Sequence, residues 1–95
     1  MAAYVLVDVR IRDPAVYAEC RQLTPASIAA YGGRFLVRGG QVETLEGEWA
    51  PERIVVLEFP SVAQAKAWWM SAEYAPAKAL RQKSATTRMI LIEGV

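Results

Sequence analysis

Residues 3–11, AYVLVDVRI, alternate along an extended chain: Val5, Val7, Val9 and Ile11 fall on one side, and Tyr4, Leu6, Asp8 and Arg10 on the other. This period of two, with its β-branched content, predicts a strand. Arg34-Phe-Leu-Val-Arg38 before Gly39-Gly40, Arg53-Ile-Val-Val-Leu-Glu-Phe59 before Pro60, and Thr87-Arg-Met-Ile-Leu-Ile-Glu93 predict three more. After the first strand, Asp13-Pro14 supplies an N-cap and a first-turn proline. Val16, Tyr17, Cys20 and Leu23 follow at helical spacing. Pro25 has no amide proton and crowds the preceding turn, so Thr24-Pro25 predicts a kink or a restart. Ile28 and Tyr31 continue the stripe to Gly32-Gly33, which ends the helix. A second helix starts at Ser61, with Gln64 three residues on as a capping box. Its apolar face is Val62, Ala65, Trp68 and Trp69; residues 71–74 break it, and Pro76 opens a further segment through Ala79, Leu80 and Lys83. The polar stretch around residues 45–49 has room for a short edge strand.

The order β-α-β-β-α-β with right-handed crossovers implies one α+β domain over residues 1–95. It is a four-stranded antiparallel sheet with its helices on one face, the ferredoxin-like arrangement. Val5, Val7, Val9 and Ile11, with Phe35, Val37, Val55, Leu57 and Phe59, are expected to meet the helices. The other face combines Tyr4, Leu6, Asp8, Arg34, Leu36, Arg38, Ile54, Val56 and Glu58, with either Arg88, Ile90 and Ile92 or Met89, Leu91 and Glu93 from the last strand. Water-facing sheet surfaces are usually polar, and this one is not. Burying Leu6, Leu36, Ile54 and Val56 is favourable by about 1.5–3 kcal/mol each. Since the helices are already used, a second copy of the chain is the expected cover, sheet against sheet. Asp8, Arg34, Arg38 and Glu58 then lie near a partly desolvated surface and form either an ion-pair network that sets the dimer register or a polar lining for a ligand.

Composition narrows the chemistry. With 54% hydrophobic and 22% charged residues the chain is globular, and eleven basic against ten acidic residues leave a net charge of +1. That balance argues against a nucleic-acid or membrane-surface partner. No apolar run is long enough for a membrane span and no signal-peptide pattern opens the chain, so a cytoplasmic protein is expected. The absence of histidine excludes imidazole bases and histidine-ligated metal or haem. The single cysteine, Cys20, cannot form an intrachain disulfide and reads as a buried hydrophobe. There is no phosphate-binding glycine loop, metal-ligand cluster or nucleophilic triad, and no cofactor or metal is expected.

Several residues are candidates for a site, each beside a structural reading. Tyr31 offers a phenol or is a helix-end core aromatic. Arg34 and Arg38, four residues apart on one strand face, either clamp a carboxylate or pair with Asp8 or Glu58. Trp68 and Trp69 lie about 100° apart on a helix and cannot both enter the core, so one lines a pocket or is covered by the following segment. Tyr74 and Arg81 flank the last helical segment and close one end of a cavity between helices and sheet.

Gly32-Gly-Arg-Phe-Leu-Val-Arg-Gly39, with Glu46-Gly47, Pro51-x-Arg53, Glu58-Phe-Pro-Ser61, Ala65 ahead of Trp69, Ser71-x-Glu-Tyr74 and Arg81, resembles the family catalogued as domain of unknown function 1330. The resemblance runs over essentially the whole chain and implies membership of the dimeric α/β-barrel superfamily. That superfamily includes cofactor-independent monooxygenases, lactone isomerases, haem enzymes and ligand-sensing domains; the fold does not choose among them. Two functions follow as expectations. One is a homodimeric small-molecule protein, an oxygenase- or isomerase-like enzyme on a small, partly apolar or anionic compound. In it Asp8 or Glu58 accepts a proton, Tyr74 donates one, and Arg34, Arg38, Tyr31, Trp69 and Arg81 hold the ligand. The other is a non-catalytic binding or assembly module whose charges only stabilise the dimer.

Overall fold

A computed structural model describes residues 1–95. Seven elements follow one another: β1 (Ala3–Ile11), α1 (Pro14–Ala30), β2 (Arg34–Arg38), β3 (Arg53–Phe59), α2 (Val62–Trp69), α3 (Ala75–Ser84) and β4 (Ala85–Glu93). The strands form one antiparallel sheet in the order β2-β3-β1-β4. The helices cover one face, leaving a slab of 34 × 33 × 16 Å. This is the ferredoxin-like α+β architecture that the sequence predicts.

The local causes are those in the sequence. Asp13 caps α1 by accepting from the Val16 amide at 3.2 Å. Ser61 caps α2 by accepting from the Gln64 amide at 3.1 Å. The Gln64 side chain completes no capping box; it donates to the Tyr31 carbonyl at 3.4 Å and ties α2 to the end of α1. Gly33 lets that junction close, since a Cβ there would collide with the Phe59 ring and Ile28. The core between the layers gathers Val5, Val7, Val9, Leu57 and Phe59 from the sheet with Ile28, Ala65, Trp68 and Tyr74 from the helical side. Trp68 is its largest member, tilted on Phe59 at 5.3 Å and stacked on Tyr74 at 4.0 Å between ring centres.

Four further expectations change. First, α1 runs through Pro25 as one helix. The Thr24 hydroxyl donates to the Cys20 carbonyl at 2.7 Å, and the Arg38 Nη2 donates to the Arg21 carbonyl at 3.1 Å. That carbonyl is the acceptor for which residue 25 would have supplied the amide had it not been proline. Second, Leu23 is exposed and takes no part in the buried stripe. Third, residues 45–49 form no edge strand and belong to a long β2–β3 connection.

The fourth change bears on the site. β2 pairs with β3 as Arg34↔Glu58 and Phe35↔Leu57, then as Val37↔Val56 and Arg38↔Val55, with a bulge between Phe35 and Val37. One extra residue shifts the alternation, because each step along a strand reverses the face. Val37 therefore joins the outer face beside Val56, and Arg38 turns to the helix side beside Val55. Arg34 and Arg38 do not share a face.

Candidate functional site

The helix side of the sheet carries two adjoining spaces with a common wall. One is a cleft of about 430 Å³ between α2, α3 and the β4 edge, lined chiefly by Val5, Ala65, Trp68, Trp69, Met70, Met89, Ile90 and Leu91, with Lys66, Arg81, Gln82 and Thr87 as its polar members. The other is an inner cavity of about 50 Å³ between α1 and the sheet, bordered by Tyr17, Cys20, Phe35, Arg38, Arg53 and Tyr74 among others. Trp68, Arg81 and Met89 border both.

Arg81 is the pivot of this wall. It descends from the last turn of α3 and is 7% exposed. Its Nε donates to the Tyr74 hydroxyl at 3.1 Å, and its Nη1 donates to Thr87 Oγ1. Both acceptors are neutral. Burial pushes the Tyr74 phenol above its ordinary range, while the Arg81 guanidinium pulls the other way. Tyr74 is itself set by Ser71, whose Oγ accepts from the Tyr74 amide at 3.1 Å and donates to the Trp68 carbonyl at 2.7 Å. Trp68 is pinned from the other end, its indole donating to Ser27 Oγ at 3.1 Å. Its neighbour Trp69 faces outward, 43% exposed, at the cleft mouth. Lys78 Nζ sits 4.0 Å from the Trp69 ring centre and donates to the Trp69 carbonyl at 2.9 Å. The two tryptophans thus divide as helical geometry requires, one into the core and one to the pocket.

The remaining predicted residues lie elsewhere. Asp8 and Glu58 are on the outer sheet face. Asp8 Oδ2 accepts from Arg88 Nη2 at 2.7 Å and from the Trp49 indole at 3.0 Å. These bonds, Arg88 first, hold the Asp8 carboxyl below its usual range. Glu58 Oε1 accepts from Arg34 Nε at 2.7 Å. Tyr31 stands at the end of α1, where its hydroxyl donates to Glu73 at 2.9 Å; that bond raises its pKa. The structure therefore brings Tyr74, Arg81, Trp69 and Arg38 to the helix side and puts Asp8, Glu58 and Arg34 across the sheet from them.

Two functional candidates escape the sequence reading. Arg53 pairs with Val9 and borders the inner cavity. The signal was a basic residue in phase with Val55, Leu57 and Phe59. Gly39, at φ +73°, makes room for it, since a Cβ there would strike the Arg53 guanidinium. Trp49 is the other: it bends from the β2–β3 connection onto Asp8 and overhangs an outer hollow of about 590 Å³ with Leu6, Glu48, Arg88 and Ile90. Nothing in its local pattern gives that placement.

The topology and its helix-side cleft define a small ferredoxin-like α+β domain. The chain belongs to the family described as Domain of unknown function (DUF1330), whose model matches residues 2–95. No curated protein matches its sequence. Among solved structures it is similar to a protein of unknown function from Rhodopseudomonas palustris, with 22% identity over 99% of this chain and 82% of that one and a TM-score of 0.79. A dimeric ferredoxin-like protein of unknown function from Jannaschia sp. CCS1 matches with 14% identity over 99% and 100%, TM-score 0.73. SnoaB, a cofactor-independent oxygenase from Streptomyces nogalater, matches with 15% identity over 99% and 92%, TM-score 0.63. At these identities the likeness is one of fold. No helix is long and apolar enough to cross a membrane.

Proposed function

We propose that the protein is a homodimer, joined sheet to sheet, that binds a small amphipathic compound in the cleft between α2, α3 and β4. The observation that carries the binding reading is the cleft itself: about 430 Å³, mostly apolar, with the buried Arg81 in its wall. That volume lies within the range of small-molecule sites, and a few placed polar groups on an apolar lining are their usual make-up. The dimer reading draws on the outer face, where Leu36 is 44% and Ile90 54% exposed in the single chain, and on the dimeric neighbour.

A second reading, a cofactor-independent oxygenase-like enzyme, draws support from the fold shared with SnoaB. In it Tyr74, which borders the inner cavity and bonds to the cleft-lining Arg81, is the proton donor. Asp8 and Glu58, held in ion pairs on the outer face, are proton acceptors only for a molecule lodged between the two sheets.

A thermal-shift screen of aromatic acids, lactones and quinones tests the binding reading. A ligand at ten times its Kd stabilises by about 1.4 kcal/mol, roughly 6–11 °C for a domain of this size. A screen in which no compound raises Tm overturns it. Oxygen uptake with the compounds that bind decides the second reading.

A further inference from the structure

We infer that the inner cavity walled by Arg38, Arg53 and Arg81 is a binding site for a carboxylate group. This deepens the small-molecule reading by naming the chemical class of the ligand, and it rests on that reading only for the apolar body the carboxylate carries.

Three elements bring the guanidinium groups together. The β2 bulge turns Arg38 inward opposite Val55. Arg53 lies two residues before Val55 on the same face, opposite Val9. Arg81 reaches down from α3. All three border one space of about 50 Å³. About 10–15 Å³ admits one water, so the space suits a group of three heavy atoms.

The charges there are uncompensated. Arg10, Arg34 and Arg88 on the other side of the sheet each have a carboxylate partner. None of the chain's ten acidic residues borders the inner cavity. The partners found there are all neutral. Arg38 has the Arg21 carbonyl and the Phe35 ring, 4.4 Å from its Cζ. Arg53 has the Tyr17 ring at 5.8 Å, and its Nε is buried without a hydrogen-bond partner. Arg81 has two hydroxyls. Arg81 is buried and Arg53 half-buried, with Arg38 exposed at the rim. Arginine does not shed its proton to escape burial, so these like charges held without a counter-charge are unfavourable until an anion joins them. A planar oxyanion matches the guanidinium fork.

The test measures thermal stability and calorimetric binding in low-chloride buffer, with acetate, phenylacetate and the neutral phenylacetamide as probes. Acetate and phenylacetate are expected to bind, and phenylacetamide to bind at least about tenfold more weakly than phenylacetate. Arg53→Met is expected to raise the Tm of the ligand-free protein, by removing a half-buried guanidinium whose buried Nε has no partner, and to weaken acetate binding about tenfold. A purely structural arginine would do the opposite to Tm. Arg38→Gln gives the same loss of acetate affinity from a second strand. The inference is overturned if acetate has no effect up to about 50 mM, or if Arg53→Met binds it as wild type does. Phenylacetamide binding as tightly as phenylacetate also overturns it, while leaving the cleft reading intact. Arg53-dependent acetate binding with no gain from the phenyl group upholds the carboxylate site and removes the cleft reading.

Discussion

The Arg38 Nη2 donates to the Arg21 carbonyl at 3.1 Å, the acceptor that Pro25 leaves without its helical donor. A strand side chain thereby repairs a helix defect and joins β2 to α1. The bond depends on the bulge that turns Arg38 inward. Arg38→Ala should cost about 0.5–1.5 kcal/mol in chemical denaturation. Pro25→Ala restores the missing amide, and in that background the loss should shrink, giving a coupling of about 0.5 kcal/mol or more in the double-mutant cycle. Additive losses would show that the carbonyl does not need this donor. Because Arg38 lies away from the outer face, its replacement should leave the sedimentation coefficient unchanged.

The outer sheet face places Ile90 opposite Leu6, and Leu6 opposite Val56 on the next strand. A charge in the middle of this row cannot be buried without a partner. Ile90→Asp is therefore expected to convert the assembly to single subunits at micromolar concentration, read by sedimentation velocity. A wild-type protein that already sediments as one subunit would contradict the sheet-to-sheet dimer.

Asp8 is 17% exposed and is bound by Arg88 and Trp49. Its folded pKa lies below the unfolded value of about 3.9. The linked stability is present above that value and drains away as the pH falls through the folded one. Asp8→Asn should be less stable than wild type at neutral pH by about 0.5–1 kcal/mol. The gap should narrow below about pH 4, as followed by Tm across an acid series. A gap that stays constant with pH would show that the ion pair contributes nothing.

Tyr74→Phe deletes the acceptor of the buried Arg81 Nε, and a buried donor left unsatisfied costs about 1–3 kcal/mol. Denaturant unfolding reads that loss. The raised phenol pKa adds a second signature. Its stabilisation is complete below the unfolded value of about 10 and is lost as the pH rises through the folded value. The wild type should therefore lose stability above about pH 10 more steeply than the phenylalanine variant does.

Much of this was legible in local pattern. All four strands, both N-caps and the break between α2 and α3 follow from period, proline and capping chemistry. The division of Trp68 and Trp69 follows from helical geometry alone. The candidate site was legible in part: Arg81 and Trp69 both line the cleft, while Tyr74 borders the inner cavity behind it and accepts from Arg81. Asp8 and Glu58 do not join them, because a strand's alternation assigns a face without saying where a cavity opens. Arg53 stood in the apolar phase of its strand, yet its meaning appears only when Arg38 and Arg81 arrive from elsewhere in the chain.

The amino-acid order alone settles the α+β class and the excess of apolar side chains on a sheet with only one helical cover, since alternation and helical period are properties of neighbouring residues. Tertiary structure decided the side to which Arg38 points, the continuity of α1 across Pro25, the docking of Trp49 on Asp8 and the gathering of arginines without a carboxylate. Each depends on contacts between residues distant in the chain. An unpaired residue in a strand reverses every side chain beyond it, and the pairing partner that shows such a residue lies on another strand.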